Sequence, residues 1–156
     1  WSYESTHSDR VIPGGRLVHA ITRCGQAELS VFGMCIPWSG SRYPAQKKWA
    51  DHAEYIETLQ PVVAELRSRH TLLVGDFNQR VPSTYVPKKC QEQLRQLLAD
   101  EFILATGMPP LEVGVIDRVA HSSSLRSVHV GILSPKDSTG RSMTDHTGVV
   151  VDLESI

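Results

Sequence analysis

The sequence has no excess of charge of either sign: 16 Lys and Arg stand against 17 Asp and Glu, a formal net charge of −1. A dedicated nucleic-acid binder ordinarily carries a basic excess, so this balance leaves room for no more than a local basic patch. No run is long and apolar enough to span a bilayer as a helix. Cysteine is scarce, with three in 156 residues. Cys24, Cys35 and Cys90 are odd in number, far apart and without Cys-x-x-Cys spacing, which points away from a disulfide framework and from a cysteine zinc site. We read them as reduced thiols and favour the cytoplasm as compartment. Neither a charged n-region nor an apolar h-region follows Trp1, so the true amino terminus is expected upstream. Internal repeats, low-complexity tracts and linkers are also missing. With 40% hydrophobic and 21% charged residues, the chain suits one globular domain with a sizeable core.

Residues 1–15 are polar and end in Pro13-Gly14-Gly15, which reads as a loop. Arg16 to Arg23 and Glu28 to Ile36 are β-like runs separated by Cys24-Gly25-Gln26-Ala27, the pattern of a hairpin. From Pro44 through Arg69 the spacing is helical, with Trp49, Ala53, Ile56, Leu59, Val63 and Leu66 as the apolar stripe. Asp51, Glu54, Glu57 and Glu65 lie off that stripe, and Pro61 is positioned to kink or split the helix. Thr71 to Val74 reads as a short strand buried on both faces, followed by a Pro-containing loop from Val81 to Pro87. A second helix is expected from Lys88 to about Asp100, with Leu94, Leu97 and Leu98 on one face. Phe102 to Ala105, Val113 to Ala120, Ser127 to Leu133 and Thr147 to Leu153 are strand-like, and Thr106 to Pro110 is a turn-rich break. Strands alternating with two helices describe a mixed β-sheet layered with helices.

Three polar groups sit at matching places on these strands. In Leu72-Leu73-Val74-Gly75-Asp76-Phe77-Asn78, Gly75 permits a sharp turn. Asp76 and Asn78 follow two positions apart, which in extended chain aims both to one side. Asp117 stands within Val115-Ile116-Asp117-Arg118-Val119, and Asp145-His146 immediately precedes the last apolar run. A lone Gly-Asp-x-Asn is more often an ordinary turn; three such placements together are harder to assign to chance. An acid within a strand needs a partner. Either Asp117 pairs with Arg118 or another cation, or it accepts a proton from His146, fixing that ring's tautomer and raising its basicity.

With Gly75-Asp76-Phe77-Asn78, Ile116-Asp117-Arg118-Val119 and Thr144-Asp145-His146 in this order and spacing, the sequence resembles the endonuclease/exonuclease/phosphatase superfamily, the deoxyribonuclease I-like enzymes. Thr144 stands where that family more commonly has Ser. The resemblance implies a four-layered α/β sandwich and metal-dependent hydrolysis of a phosphoester. It also implies roles. Asp76 would position or deprotonate the attacking water, and Asn78 would donate to a phosphoryl oxygen. Asp145 would ligate or support the metal, and His146, held by Asp117, would donate to the phosphate. Such a set suits phosphoryl transfer, which rewards positioning and electrostatic stabilisation. Its oxygen donors suit Mg²⁺ or Mn²⁺. The family's further metal ligands, an Asn on the first strand and a Glu beyond it, have no match here; the setting of Glu4, Trp1-Ser2-Tyr3-Glu4-Ser5, is not the family's motif. We therefore expect residues 1–156 to be one partial domain, the carboxy-terminal portion, with the first sheet upstream.

The substrate expected is a phosphoester, with nucleic acid among the candidates and a nuclease-type phosphodiesterase as the first branch. A small-molecule or lipid-headgroup phosphatase of inositol phosphate or sphingomyelin type is the second. A non-catalytic module that kept the fold is the reading from another class. No obligate protein partner is evident. Trp38, at a strand end, either lines the substrate cleft or caps the sheet against solvent. Arg80 either contacts a phosphate bidentately or is a surface arginine. His7, His19, His52, His70, His121 and His129 lack ligand spacing. Ser122-Ser123-Ser124 reads as a loop, and the pairs Lys47-Lys48 and Lys88-Lys89 as solvated faces.

Overall fold

The computed structural model describes residues 4–6, 16–42, 45–80, 85–99, 101–107 and 115–156. The expected loop around Pro13-Gly14-Gly15, the start of a helix at Pro44, most of the loop from Val81, Pro109 and Pro110 of the turn-rich break, and a strand start at Val113 lie outside them.

A hairpin begins the main sheet: β2 (Leu17–Cys24) and β3 (Ala27–Cys35) are antiparallel and in register from Leu17↔Met34 to Cys24↔Ala27. The connection is the pair Gly25-Gln26, one residue tighter at each end than the sequence implied, and Gly25 has φ 62°. A short strand the sequence did not reveal, β1 (Glu4–Thr6), pairs with β2 where a loop was expected. Three polar residues carry no alternation to announce a strand, and only the edge of β2 gives them partners.

α1 (Ala50–Leu66) starts six residues later than the apolar spacing suggested, after Trp49 at φ 69°. It runs through Pro61 without a break. Ala53, Ile56, Leu59 and Val63 are buried as expected. Asp51 corrects the sequence reading: it is 6% exposed rather than off the buried face, because Arg42 grips it with two hydrogen bonds of 2.7 Å. A bidentate guanidinium satisfies the carboxylate that burial would otherwise leave unpaired.

β4 (Thr71–Asp76) lies parallel to β3, and β6 (Asp117–Ser122) and β5 (Phe102–Leu104) complete the sheet antiparallel, in the order β1-β2-β3-β4-β6-β5. Thr71 and Leu73 are buried while Leu72 and Val74 are only half-buried, so β4 is covered fully on one face and not on both. The covered face is the helical one. Phe32, Met34, Leu73 and Ala120 form one apolar core with Ile56, Leu59 and Val63 of α1 and with Leu94 and Leu97 of α2 (Lys88–Leu98). β6 starts at Asp117, so Val115 and Ile116 precede the strand instead of belonging to it. Beyond a tight turn at Ser123-Ser124, β7 (Leu125–Leu133) and β8 (Gly148–Ser155) form a separate two-stranded antiparallel sheet beside β6. Cys35 and Cys90 are free thiols. Among the described residues no helix is long and apolar enough to cross a membrane.

Candidate active site

Register builds the site. Cys35 is opposite Asp76 across β3 and β4, and Asp76 is opposite Asp117 across β4 and β6. Side chains alternate along a strand. With Met34, Leu73 and Ala120 in the helical core, this row therefore points to the other face. Gly75 is essential to the approach of β3 and β4. Its φ is 128°, and a Cβ there would lie 2.1 Å from the carbonyl oxygen of Met34, so no other residue fits.

Past Asp76 the chain does not stay extended as the two-residue spacing suggested. Asn78 adopts φ 47°, in the left-handed region, and folds back. Its N–H donates to Asp76 Oδ1 at 2.8 Å, and its Nδ2 donates to Asp76 Oδ2 at 2.6 Å and to the Ile36 carbonyl at 2.9 Å. Asp76 and Asn78 thus meet through a turn rather than through strand alternation. Burial pushes the Asp76 carboxyl above its ordinary range. The Asn78 N–H and nearby His146 oppose that shift, and the Asp117 carboxylate adds to it.

Asp117 does not pair with Arg118. Successive strand residues face opposite ways, and Arg118 turns inward, 1% exposed, to donate to the Thr106 carbonyl at 2.7 Å. Instead Asp117 accepts from His146: Nδ1 is 3.2 Å from each carboxylate oxygen. The bond places the proton on Nδ1 and raises the basicity of the ring, whose pKa lies above its ordinary value chiefly through this partner. His146 comes from the loop before β8, where Thr144 Oγ1 accepts from the His146 N–H at 3.1 Å. A serine hydroxyl would make the same turn, so the Thr for Ser difference leaves this contact intact.

One ligand atom each from Asp76, Asp117 and His146 lies within 4.8 Å of the others. Four sequence-predicted residues, Asp76, Asn78, Asp117 and His146, therefore converge. Three do not join them by hydrogen bond or ion pair. Asp145 is exposed, acting on His146 only through its charge. Arg80 is exposed. Trp38 is 59% exposed at the end of β3, its indole laid over Gly40.

The sequence did not point to two further neighbours. Cys35 Sγ lies 4.0 Å from Asp76 Oδ2 and receives Arg16 Nη1 at 3.5 Å. His52, wholly buried in α1, donates from Nδ1 to the Pro37 carbonyl at 2.9 Å, and its Nε2 lies 3.0 Å from Gln79 Oε1. Only the cross-strand register identifies Cys35. For His52, its place on the apolar face of α1 was the one available signal.

Two carboxylates and an imidazole suit a hard dication in oxygen chemistry. The Asp117 carboxylate opposes the ionisation of Asp76, and a cation between the two relieves that repulsion. His146 Nδ1 is already committed to Asp117, so oxygen atoms dominate the donor set.

No family model and no curated protein matches the sequence. Solved structures do match. An endonuclease/exonuclease/phosphatase from Beutenbergia cavernae superposes with a TM-score of 0.61 at 16% identity, over 89% of this chain and 39% of its own. A humanized D. rerio TDP2 matches with a TM-score of 0.65 at 14% identity, over 99% of this chain and 65% of its own. The Xenopus laevis APE2 catalytic domain matches with a TM-score of 0.58 at 17% identity, over 95% and 59%. The chain thus spans less than two thirds of the length of these structures. It has their deoxyribonuclease I-like α/β fold, as its three motifs implied.

Proposed function

We propose that this chain is the carboxy-terminal portion of a metal-dependent phosphoester hydrolase, acting first of all as a nuclease-type phosphodiesterase. The observation that carries the reading is the convergence of Asp76, Asp117 and His146 within 4.8 Å, with Asn78 locked onto Asp76. The fold shared with endonuclease/exonuclease/phosphatase proteins supports it. A D. rerio TDP2 has been solved with a single-stranded DNA product, which places single-stranded DNA first among the substrates to try.

Asp76 and Asp117 would hold Mg²⁺ or Mn²⁺, with Asp145 near enough in sequence to support it. Bound there, the ion would supply Lewis-acid stabilisation of charge developing on phosphoryl oxygens. The protein's own groups perform the rest. Asp76 would orient the attacking water and receive its proton. Asn78, whose two Nδ2 donors are taken by Asp76 and the Ile36 carbonyl, would release its bond to Asp76 to donate to a phosphoryl oxygen. His146 has its proton on Nδ1 toward Asp117, so its protonated form presents Nε2–H to the phosphate and offsets the charge that builds there. Arg80, exposed two residues beyond Asn78, contacts a second phosphate, and Trp38 lines the cleft beyond the end of β3.

The test is hydrolysis of a panel of single-stranded DNA, duplex DNA, abasic duplex, RNA, inositol polyphosphates and sphingomyelin, with Mg²⁺, with Mn²⁺ and with EDTA. We expect cleavage of a nucleic acid that requires the metal and stops with chelator. Activity unchanged in EDTA would overturn the metal role. Turnover of inositol phosphates or sphingomyelin alone would select the phosphatase branch. No hydrolysis with any substrate, by this chain and by a version extended upstream, would leave a module that kept the fold without the chemistry.

A further inference from the structure

The backbone that presents Asn78 is strained. A non-glycine residue at φ 47° persists only where its surroundings over-determine it. The bonds of Asn78 to Asp76 are part of that constraint, and they lie on the site side. On the other side is a second set. Asn78 Nδ2 donates to the Ile36 carbonyl. The next residue after Ile36 is Pro37, whose carbonyl accepts from His52 Nδ1. The next residue after Asn78 is Gln79, whose carboxamide meets His52 Nε2. The path Asn78, Ile36, Pro37, His52, Gln79 and back to Asn78 is a closed ring of peptide links and hydrogen bonds. His52 is its only member outside the two loops that leave β3 and β4.

We infer that His52 is a positioning residue of the candidate site: by bridging Pro37 and Gln79 from inside α1 it holds the β3 and β4 loops in register and keeps Asn78 in the conformation that meets Asp76. The inference rests on the proposed hydrolase for its functional meaning and on geometry alone for its structural content. Imidazole suits the task because it carries two polar atoms on different edges of a rigid ring. A carbonyl only accepts, so the Pro37 contact puts the proton on Nδ1. The Gln79 oxygen faces Nε2, which with the Pro37 carbonyl would require both ring nitrogens to donate and the ring to be cationic; a neutral ring instead accepts at Nε2 from the Gln79 NH₂, the same carboxamide turned over. Burial keeps the ring neutral, holding its pKa below the ordinary value. Gln79 is itself 2% exposed, so neither partner can exchange the other for water without opening the loop. Trp49 packs edge-on against the ring at 5.0 Å and fixes its rotation. Pro37 has no N–H, which leaves its carbonyl as the only backbone hydrogen-bonding group by which α1 can hold that residue.

The test is amide hydrogen exchange of the full 156-residue chain, read at the Asn78 N–H, whose acceptor is Asp76 Oδ1, and at the amides pairing β2 with β3. In His52→Ala the Asn78 amide should exchange about tenfold faster, the weight of one lost hydrogen bond, while the β2 and β3 amides keep their rates. Gln79→Leu leaves the imidazole in place and removes the same bridge, so it should reproduce the effect even where His52→Ala fails to fold. The double variant should add little to either. An unchanged Asn78 rate, or equal acceleration throughout the sheet, overturns the proposal. So does a His52 ring found protonated on Nε2 by nitrogen correlation spectroscopy. Where the wild type hydrolyses a phosphodiester, His52→Ala should lower kcat by about 10- to 100-fold, with KM changed much less. A wild type without activity removes the hydrolase reading and leaves the exchange result to decide the inference on its own.

Discussion

The two sheets that meet at the candidate site are built to different standards of burial. In the main sheet Phe32 and Leu73 are fully buried under α1 and α2, as is Ile36 just past β3. In the small sheet Val128 is 48%, Ile132 59% and Leu133 56% exposed, and its strands are held to the rest mainly beside β6. A two-stranded ribbon has little stability of its own. The main sheet delivers Asp76, Asn78 and Asp117 on well-covered backbone; the loop of the small sheet delivers His146. The halves of the candidate site are therefore positioned by different means. Register and core packing set the carboxylates. The imidazole depends on its bond to Asp117.

Cutting the His146–Asp117 bond should have the largest effect, on turnover. His146→Ala should lower the rate by about 100- to 10,000-fold, the range of general acid and base groups, and Asp117→Asn should lower it as well. Their double variant should lose much less than the two penalties combined, because groups that act as one unit are non-additive. Strictly additive losses would separate Asp117 from His146 and return Asp117 to a purely structural role.

Stability separates the sheets next. Leu73→Ala removes a wholly buried side chain from the core and should destabilise by about 2–5 kcal/mol. Ile132→Ala in β7 should change stability by about 0.5 kcal/mol or less. Chemical denaturation of both variants measures the contrast, and similar penalties would mean that the β7–β8 face is buried in solution. Should association be what buries it, replacing Ile132 and Leu133 by Lys should shift sedimentation toward the monomer. Identical sedimentation of the two proteins would disprove that route.

The same contrast explains what was legible in the sequence. Ala53, Ile56, Leu59 and Val63 announced α1 because one covered face imposes a period of 3.6 residues. The hairpin, α2 and the strands β7 and β8 were also read within a few residues of their ends. What escaped reading came from partners distant in sequence. Asp51 is buried because Arg42 meets it, β1 is a strand because β2 offers an edge, and His52 is a bridge because Pro37 and Gln79 converge on α1. Of the candidate site, Asp76, Asn78, Asp117 and His146, which the structure brings together, were named from strand ends and motif resemblance. Their contacts were not all foreseen: Asn78 meets Asp76 through a left-handed turn that a two-residue spacing does not encode.

The smallest effect concerns the tether itself and its dependence on pH. The Asp117 carboxylate raises the pKa of His146 in the folded chain, so the protonated ring is favoured by folding. A group raised in this way contributes stability that is fully present below its unfolded value, about 6.5, and that disappears as pH rises through the higher folded value. Asp117→Asn removes the carboxylate and with it the pH-dependent part. It also removes repulsion on Asp76, which displaces the whole difference by a near-constant amount wherever Asp76 is ionised in both proteins. The stability of wild type relative to Asp117→Asn should therefore be greatest on the acid side of about pH 6.5 and decline above it. The side chains of His146 and Asp117 are 33% and 23% exposed, so the change across the window should be at most about 1 kcal/mol. Denaturant midpoints of the two proteins between about pH 5.5 and 8.5 measure it. A difference that stays flat across that range would mean that no charge develops on the tether, and that the small sheet is held to the large one by its contacts beside β6 and by bonds such as Arg69 Nη2 to the Ile156 carbonyl.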